Sequence, residues 1–312
     1  MARRSSASTS FRAAPRLDHG SASRGRTGRR GIDQGLKDLT PGRLPCYPVA
    51  MMMDALTVSR EDHLRALYLD LLEKCLTNVI YRDPPMRPKW THILRKQEFS
   101  LAVRESGKDW PSRAHTMIGL KRLHSLREQV ETTLKENISG DYIETGVWRG
   151  GACIMMRAVL AAYCETERIV YVADSFAGVP PPDRIRYPAD RGRNFYKFKQ
   201  LAVPLEEVQA NFAAYGLLDD QVQFVKGWFS QTLPSLPAQR LAVIRLDGDL
   251  YESTMDALKA LYPRLSPGGF VVVDDYAMRS SRTAVHDYLD QHGEKITLQR
   301  IDDFSVWWRK PR

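Results

Sequence analysis

Apolar and polar positions follow two different rhythms along this chain. From about residue 138 onward, short apolar runs of strand length alternate with stretches whose apolar residues recur at helical spacing. "DYIETG" reads as a first strand and turn, and "GACIMMRAVLAAYC" as the helix after it. "RIVYVADSF", "VQFVKGWF", "LAVIRLDGD" and "GGFVVVDDY" read as four further strands. "PLEEVQANFAAYG" and "TMDALKALYPRL" read as helices between them, and another helix is expected at 281–291. The chain closes on "KITLQRI" and "FSVWWRK", separated by "DD", which predicts an antiparallel pair. Strands alternating with helices specify an α/β fold with a doubly wound, mostly parallel sheet.

Upstream the rhythm is helical. "SREDHLRALYLDLLEKCLTNVI" offers Ser59 as a cap with Asp62 three residues on, and then Leu64, Leu67, Leu71 and Leu72 as an apolar face. "DPPMRP" ends that segment, and 112–137 is expected to be helical with Leu120, Leu123, Leu126 and Val130 as its seam. Three parts follow: a tail over 1–53, a helical region over 54–137 and an α/β domain over 138–312.

The net charge of +9 is unevenly distributed. Residues 1–50 hold ten Lys or Arg against three Asp, a net of +7, which leaves +2 for the remaining 262 residues. That tail is rich in Arg, Ser and Gly and poor in apolar groups, so it is expected to be disordered. It lacks the apolar centre of a secretory signal. No apolar run reaches the length of a membrane span, and Cys46, Cys75, Cys153 and Cys164 show no paired metal spacing or disulfide framework. A reducing, cytoplasmic setting without membrane attachment is expected.

The chemistry-bearing residues stand at strand ends, where ligands of such sheets bind. "IETGVWRGG" puts Gly146 and Gly150 in a turn that opens a helix, with Glu144 just before it. An acid there suits a ligand carrying an ammonium group better than a pyrophosphate. Asp174 ends the second strand, where a carboxylate can accept from ribose hydroxyls; Trp228 follows the third and can stack on a ring or roof the core. Asp247 and Asp249 end the fourth strand, and Asp274 and Asp275 the fifth. So many acids in one cleft repel one another unless a cation neutralises them. The alternative at Asp249 is a helix cap, and at Asp275 a solvated turn residue. His115 and His286 are competing candidates for a base.

Five blocks, "YIETGVWRGG", "VYVADSFAGVP", "VKGWFSQTLP", "RLDGDLYESTMDALKALYP" and "GGFVVVDDY", together resemble the macrocin O-methyltransferase family over residues 59–312. The resemblance implies a class I methyltransferase fold with a helical N-terminal region over the site, a homodimer, and S-adenosylmethionine and Mg²⁺ as cofactors. It implies methylation of a sugar hydroxyl on a macrolide or aminocoumarin type of glycosylated metabolite. By motif, Thr116, Met117, Glu144, Gly146, Gly150, Asp174 and Ser175 are implied cofactor contacts. Asp247, Asp274 and Asp275 are implied metal ligands, Asp249 the implied base, and the segment "RIRYPADRGRNFYKFKQLAV" a mobile cover. Competing readings are a catechol-type metal-dependent methyltransferase, a nicotinamide-dependent oxidoreductase and a protein binding nucleic acid through its Arg-rich tail. The oxidoreductase is disfavoured by Glu144, which stands where its fingerprint has glycine.

Overall fold

The computed structural model describes residues 59–86 and 98–312. The expectation of a disordered tail over 1–53 lies outside the described residues. The elements in chain order are α1 (Arg60–Leu76), α2 (Leu101–Glu105), α3 (Gly119–Lys135), β1 (Asp141–Thr145) and α4 (Gly151–Ala162). Next come β2 (Val170–Asp174), α5 (Leu205–Ala214), β3 (Val222–Lys226), α6 (Phe229–Thr232) and β4 (Leu241–Leu246). The chain ends with α7 (Tyr251–Leu261), β5 (Leu265–Val273), α8 (Arg279–Gln291), β6 (Gln299–Arg300) and β7 (Val306–Arg309).

The strands form one seven-stranded sheet in the order β3-β2-β1-β4-β5-β7-β6. The first five are parallel; β7 runs antiparallel to β5 and pairs with β6, as the "DD"-linked ending predicts. One face is covered by α1, α3, α4 and α5 through residues such as Leu69, Leu123, Ile154 and Phe212. The other is covered by α7 and α8 through Leu258, Val285 and Tyr288, with Trp308 of β7 filling the space beside them. Because β4 and β5 are covered on both faces, all six residues of β4 are buried.

Ser59 caps α1 as predicted, its Oγ accepting from the Asp62 N–H at 3.0 Å. The inward face of α1 is a correction. Leu69, Leu72 and Leu76 are buried, whereas Leu64, Leu67 and Leu71 are 54%, 52% and 56% exposed. The helix carries two leucine seams, and packing on α3 and α4 selects the second. Arg127 of α3 fixes that choice, bonding Asp70 at 2.5 Å and Glu73 at 3.4 Å on α1. Helix α3 starts only at Gly119, later than expected, because 112–118 runs as an irregular segment against the start of α4.

Candidate active site

The parallel register brings the strand ends to one edge. Thr145 lies beside Leu246, and Leu246 beside Val273. The ladder runs one residue further: the Asp247 N–H donates to Thr145 O at 2.9 Å, and the Asp274 N–H to Leu246 O at 2.9 Å. The aspartates therefore stand on the last rung of the ladder, at the carboxyl edge of the sheet. Gly146 (φ +86) has no room for a side chain, since a Cβ there would collide with the Asp247 carbonyl. Asp249 takes a left-handed backbone, φ +61, which is costly for a non-glycine residue. Its peptide groups are held on both sides: its N–H donates to Asp275 Oδ2 at 3.0 Å, and Ser280 Oγ donates to its carbonyl at 2.8 Å.

Two arginines lie among the acids. Arg245, 1% exposed, reaches from β4 to Glu144, to Asp247 at 2.8 Å and to Asp274. Arg122 reaches from α3 to Asp274 Oδ2 at 2.5 Å. Glu144 accepts from Arg245 on one oxygen and from the Cys153 thiol, at 2.8 Å, on the other. Burial pushes its carboxyl up to about 7 despite Arg245. Burial and then the Asp247 and Asp274 charges push Asp249 up to about 8. Asp247 is also raised, by burial and Asp274, and Asp275 well raised, by burial and Asp249. Asp247, Asp274 and Asp275 each offer one carboxylate oxygen, and these oxygens lie within 4.8 Å of one another. Three hard oxygen donors so close together suit a Mg²⁺-like ion and not a soft metal.

Asp174 is arranged differently. Its carboxylate accepts from the Val147 and Phe176 N–H groups, each at 2.8 Å, so local backbone amides carry its charge. Burial still raises its pKa. Ser175 Oγ donates to Gly178 O at 2.8 Å and closes the turn. The Gly151 N–H donates to His115 O at 3.0 Å, which seats Thr116 and Met117 against the start of α4. Trp228 caps α6 and remains 39% exposed.

Thr116, Met117, Glu144, Gly146, Asp174, Ser175, Trp228, Asp247, Asp249, Asp274 and Asp275 all line one cavity of about 460 Å³. Gly150 is not among its lining residues: its φ of +84 shapes the turn, and a Cβ there would press on Val208 and Phe212. Asp249 does not cap α7. Asp190 does so instead, from 61 residues earlier, accepting from the Tyr251 N–H at 2.7 Å. The segment that carries Asp190 is tied a second time where Trp148 Nε1 donates to Gln200 O at 2.9 Å. His115 bonds the Tyr215 hydroxyl at 2.8 Å and His286 that of Tyr276 at 2.7 Å; neither lines the cavity.

Arg122, Arg245 and Asp190 did not emerge from the sequence reading. Arg245 had a signal: in a strand, positions i and i+2 share a face, so Arg245 stands above Asp247.

The Macrocin-O-methyltransferase (TylF) family matches residues 65–310 of this chain. The 8-demethyl-8-(2,3-dimethoxy-alpha-L-rhamnosyl)-tetracenomycin-C 4'-O-methyltransferase of Streptomyces olivaceus is 55% identical over 246 residues, covering 78% of this chain and 93% of that protein. The Mycinamicin III 3''-O-methyltransferase of Micromonospora griseorubida is 48% identical over 250 residues, covering 78% and 96%. Among solved structures, that of the O-methyltransferase NovP superposes with a TM-score of 0.75 at 46% identity, covering 80% of this chain and all of that one.

Proposed function

The chain belongs to the macrocin O-methyltransferase family, and on that premise we propose that it methylates a sugar hydroxyl of a glycosylated secondary metabolite, using S-adenosylmethionine and Mg²⁺. The observation carrying this reading is a single cavity lined toward β2 by Asp174 and toward β4 and β5 by the aspartate cluster, with the Gly146 turn of β1 between them. When bound, the methyl donor supplies an electrophilic methyl group and the divalent cation lowers the energy of developing negative charge on the acceptor oxygen.

The protein's own groups do the rest. Asp174 and Ser175 bind the ribose; the Gly146 turn, Thr116 and Met117 hold the amino-acid portion; Trp228 supplies a ring face. Asp247, Asp274 and Asp275 are the ligand set for the cation. Asp249 would accept the proton that the sugar hydroxyl loses on methylation. Its carboxylate lines the same cavity as the ligand set, where it can take up that proton. The segment bearing Asp190 covers the site and limits the entry of water.

Two further assignments follow from features outside the cavity. Leu64, Leu67, Tyr68 and Leu71 leave an apolar row on α1, and this seam is the proposed contact of a homodimer. Cys75, Cys153 and Cys164 are free thiols, in keeping with a cytoplasmic enzyme.

Methyl transfer to a desmethyl glycosylated antibiotic is expected to require added Mg²⁺ and to stop on exhaustive chelation. Full turnover in the chelated enzyme would remove the cation from this proposal. Transfer to catechols but to no glycoside would place the acceptor in the other class.

A further inference from the structure

Arg122 stands where three parts of the molecule meet. It arises in the first turn of α3, only 7% exposed, and lines the cavity. Its Nη1 donates to Asp274 Oδ2 at 2.5 Å, and its Nη2 to the Gly107 carbonyl, in the irregular segment after α2, at 3.1 Å. Its Nε is 3.0 Å from Asp302 Oδ2 in the β6–β7 turn, an ion pair without hydrogen-bond alignment. The guanidinium also sits 5.4 Å from the centre of the Phe304 ring.

The same turn grips Asp274 from behind. Asp302 Oδ1 accepts from the Phe304 and Ser305 N–H groups at 2.8 and 2.9 Å, and Ser305 Oγ donates to the Asp274 carbonyl at 2.6 Å. Asp274 is thus fixed through its carboxylate by Arg122 and Arg245 and through its carbonyl by the hairpin. A flexible point charge could not reach Asp274, Asp302 and Gly107 together; the planar guanidinium fork can.

We propose that Arg122 is a positioning residue that aims Asp274 at the cation site and couples the N-terminal helical region to the strength with which that site holds a divalent ion. The proposal rests on the reading of Asp247, Asp274 and Asp275 as ligands. Two effects oppose each other. A guanidinium near the site repels a divalent cation, whereas a hydrogen-bonded ligand is already oriented for binding. Asp302 decides between them, because its carboxylate offsets the Arg122 charge at 3.0 Å and leaves orientation as the larger effect. Removing such a partner of a metal ligand typically weakens binding about 10–100-fold.

The test is titration calorimetry of Mg²⁺ alone into the metal-free full chain. Arg122→Met should bind Mg²⁺ about 10–100-fold more weakly than the parent, with affinity for S-adenosylhomocysteine unchanged. Arg122→Lys should stay weak, since one ammonium cannot hold all three acceptors. Should Arg122→Met not fold, Asp302→Asn replaces it: it frees the guanidinium charge and should also weaken Mg²⁺ binding. A parent that binds Mg²⁺ while these variants bind equally or more tightly overturns the proposal alone. A parent that takes up no Mg²⁺ overturns the ligand assignment and the proposal with it.

Discussion

The two ends of the cavity solve the same problem by different means. Each places carboxylates at or just past the ends of parallel strands, in a partly dry setting that favours protonation. At the β2 end, Asp174 is satisfied by the amides of Val147 and Phe176, groups of the turns that form its own surroundings. At the β4 and β5 ends, the carboxylates depend on Arg245 and on Arg122, which lies 152 residues from Asp274 in the chain. Backbone amides cannot be removed by a side-chain substitution; guanidinium groups can. The cofactor end should therefore lose affinity when altered, and the acid end should lose stability.

The largest expected effect follows from Arg245. Arg245→Met leaves Glu144, Asp247 and Asp274 without their shared buried cation, and breaking a buried ion network in this way costs about 3–5 kcal/mol. Denaturant melts of the metal-free chain should register that loss, and Mg²⁺ should restore part of it by supplying positive charge. An undiminished midpoint would break the contrast between the two ends.

Asp174→Ala sharpens it from the other side. Stability should change much less, while affinity for S-adenosylmethionine falls by about 1.5–3 kcal/mol, the value of a hydrogen bond to a charged group. Calorimetry with the methyl donor measures this directly, and unaltered affinity would move the ribose contact elsewhere.

Glu144 gives a pH-dependent effect with a definite sign. Its carboxyl is raised by burial from an ordinary 4.5 to about 7 in the folded chain. Folding therefore favours the protonated form. That contribution is complete below about pH 4.5 and is lost as the pH rises through about 7. The metal-free parent should become less stable across this window, and Glu144→Gln should flatten the profile. A slope unchanged by the substitution would assign it to other carboxyls.

Much of this architecture could be read from the chain because its strands are short, apolar and closed by acids or glycines. The sheet interior was legible in "LAVIRL" and "FVVV", and the strand-end position of Asp174, Asp247 and Asp274 followed from the α/β alternation. Helix α1 was not legible to the same degree. Leu64, Leu67 and Leu71 form as good a seam as Leu69, Leu72 and Leu76, and only the packing against α3 and α4 chooses between them. The partners of the acids were hidden for a similar reason. An arginine inside an apolar pattern reads as an interruption, while in space Arg122 and Arg245 are what make the acid cluster tolerable. Asp190 was hidden by distance, since nothing local announces that it caps a helix 61 residues away.

The central claim is that this cavity divides its aspartates between holding a cation and accepting a proton. Single-turnover methyl transfer to a desmethyl glycosylated antibiotic, run across a Mg²⁺ series for Asp275→Asn and Asp249→Asn, tests it most directly. Asp275→Asn should shift the Mg²⁺ requirement upward and recover part of its rate at high Mg²⁺. Asp249→Asn should slow the chemical step by about 10²–10⁴ at every Mg²⁺ concentration, as expected for loss of a general base. Full recovery of Asp249→Asn at saturating Mg²⁺ would contradict the division and move that carboxylate into the cation's ligand shell.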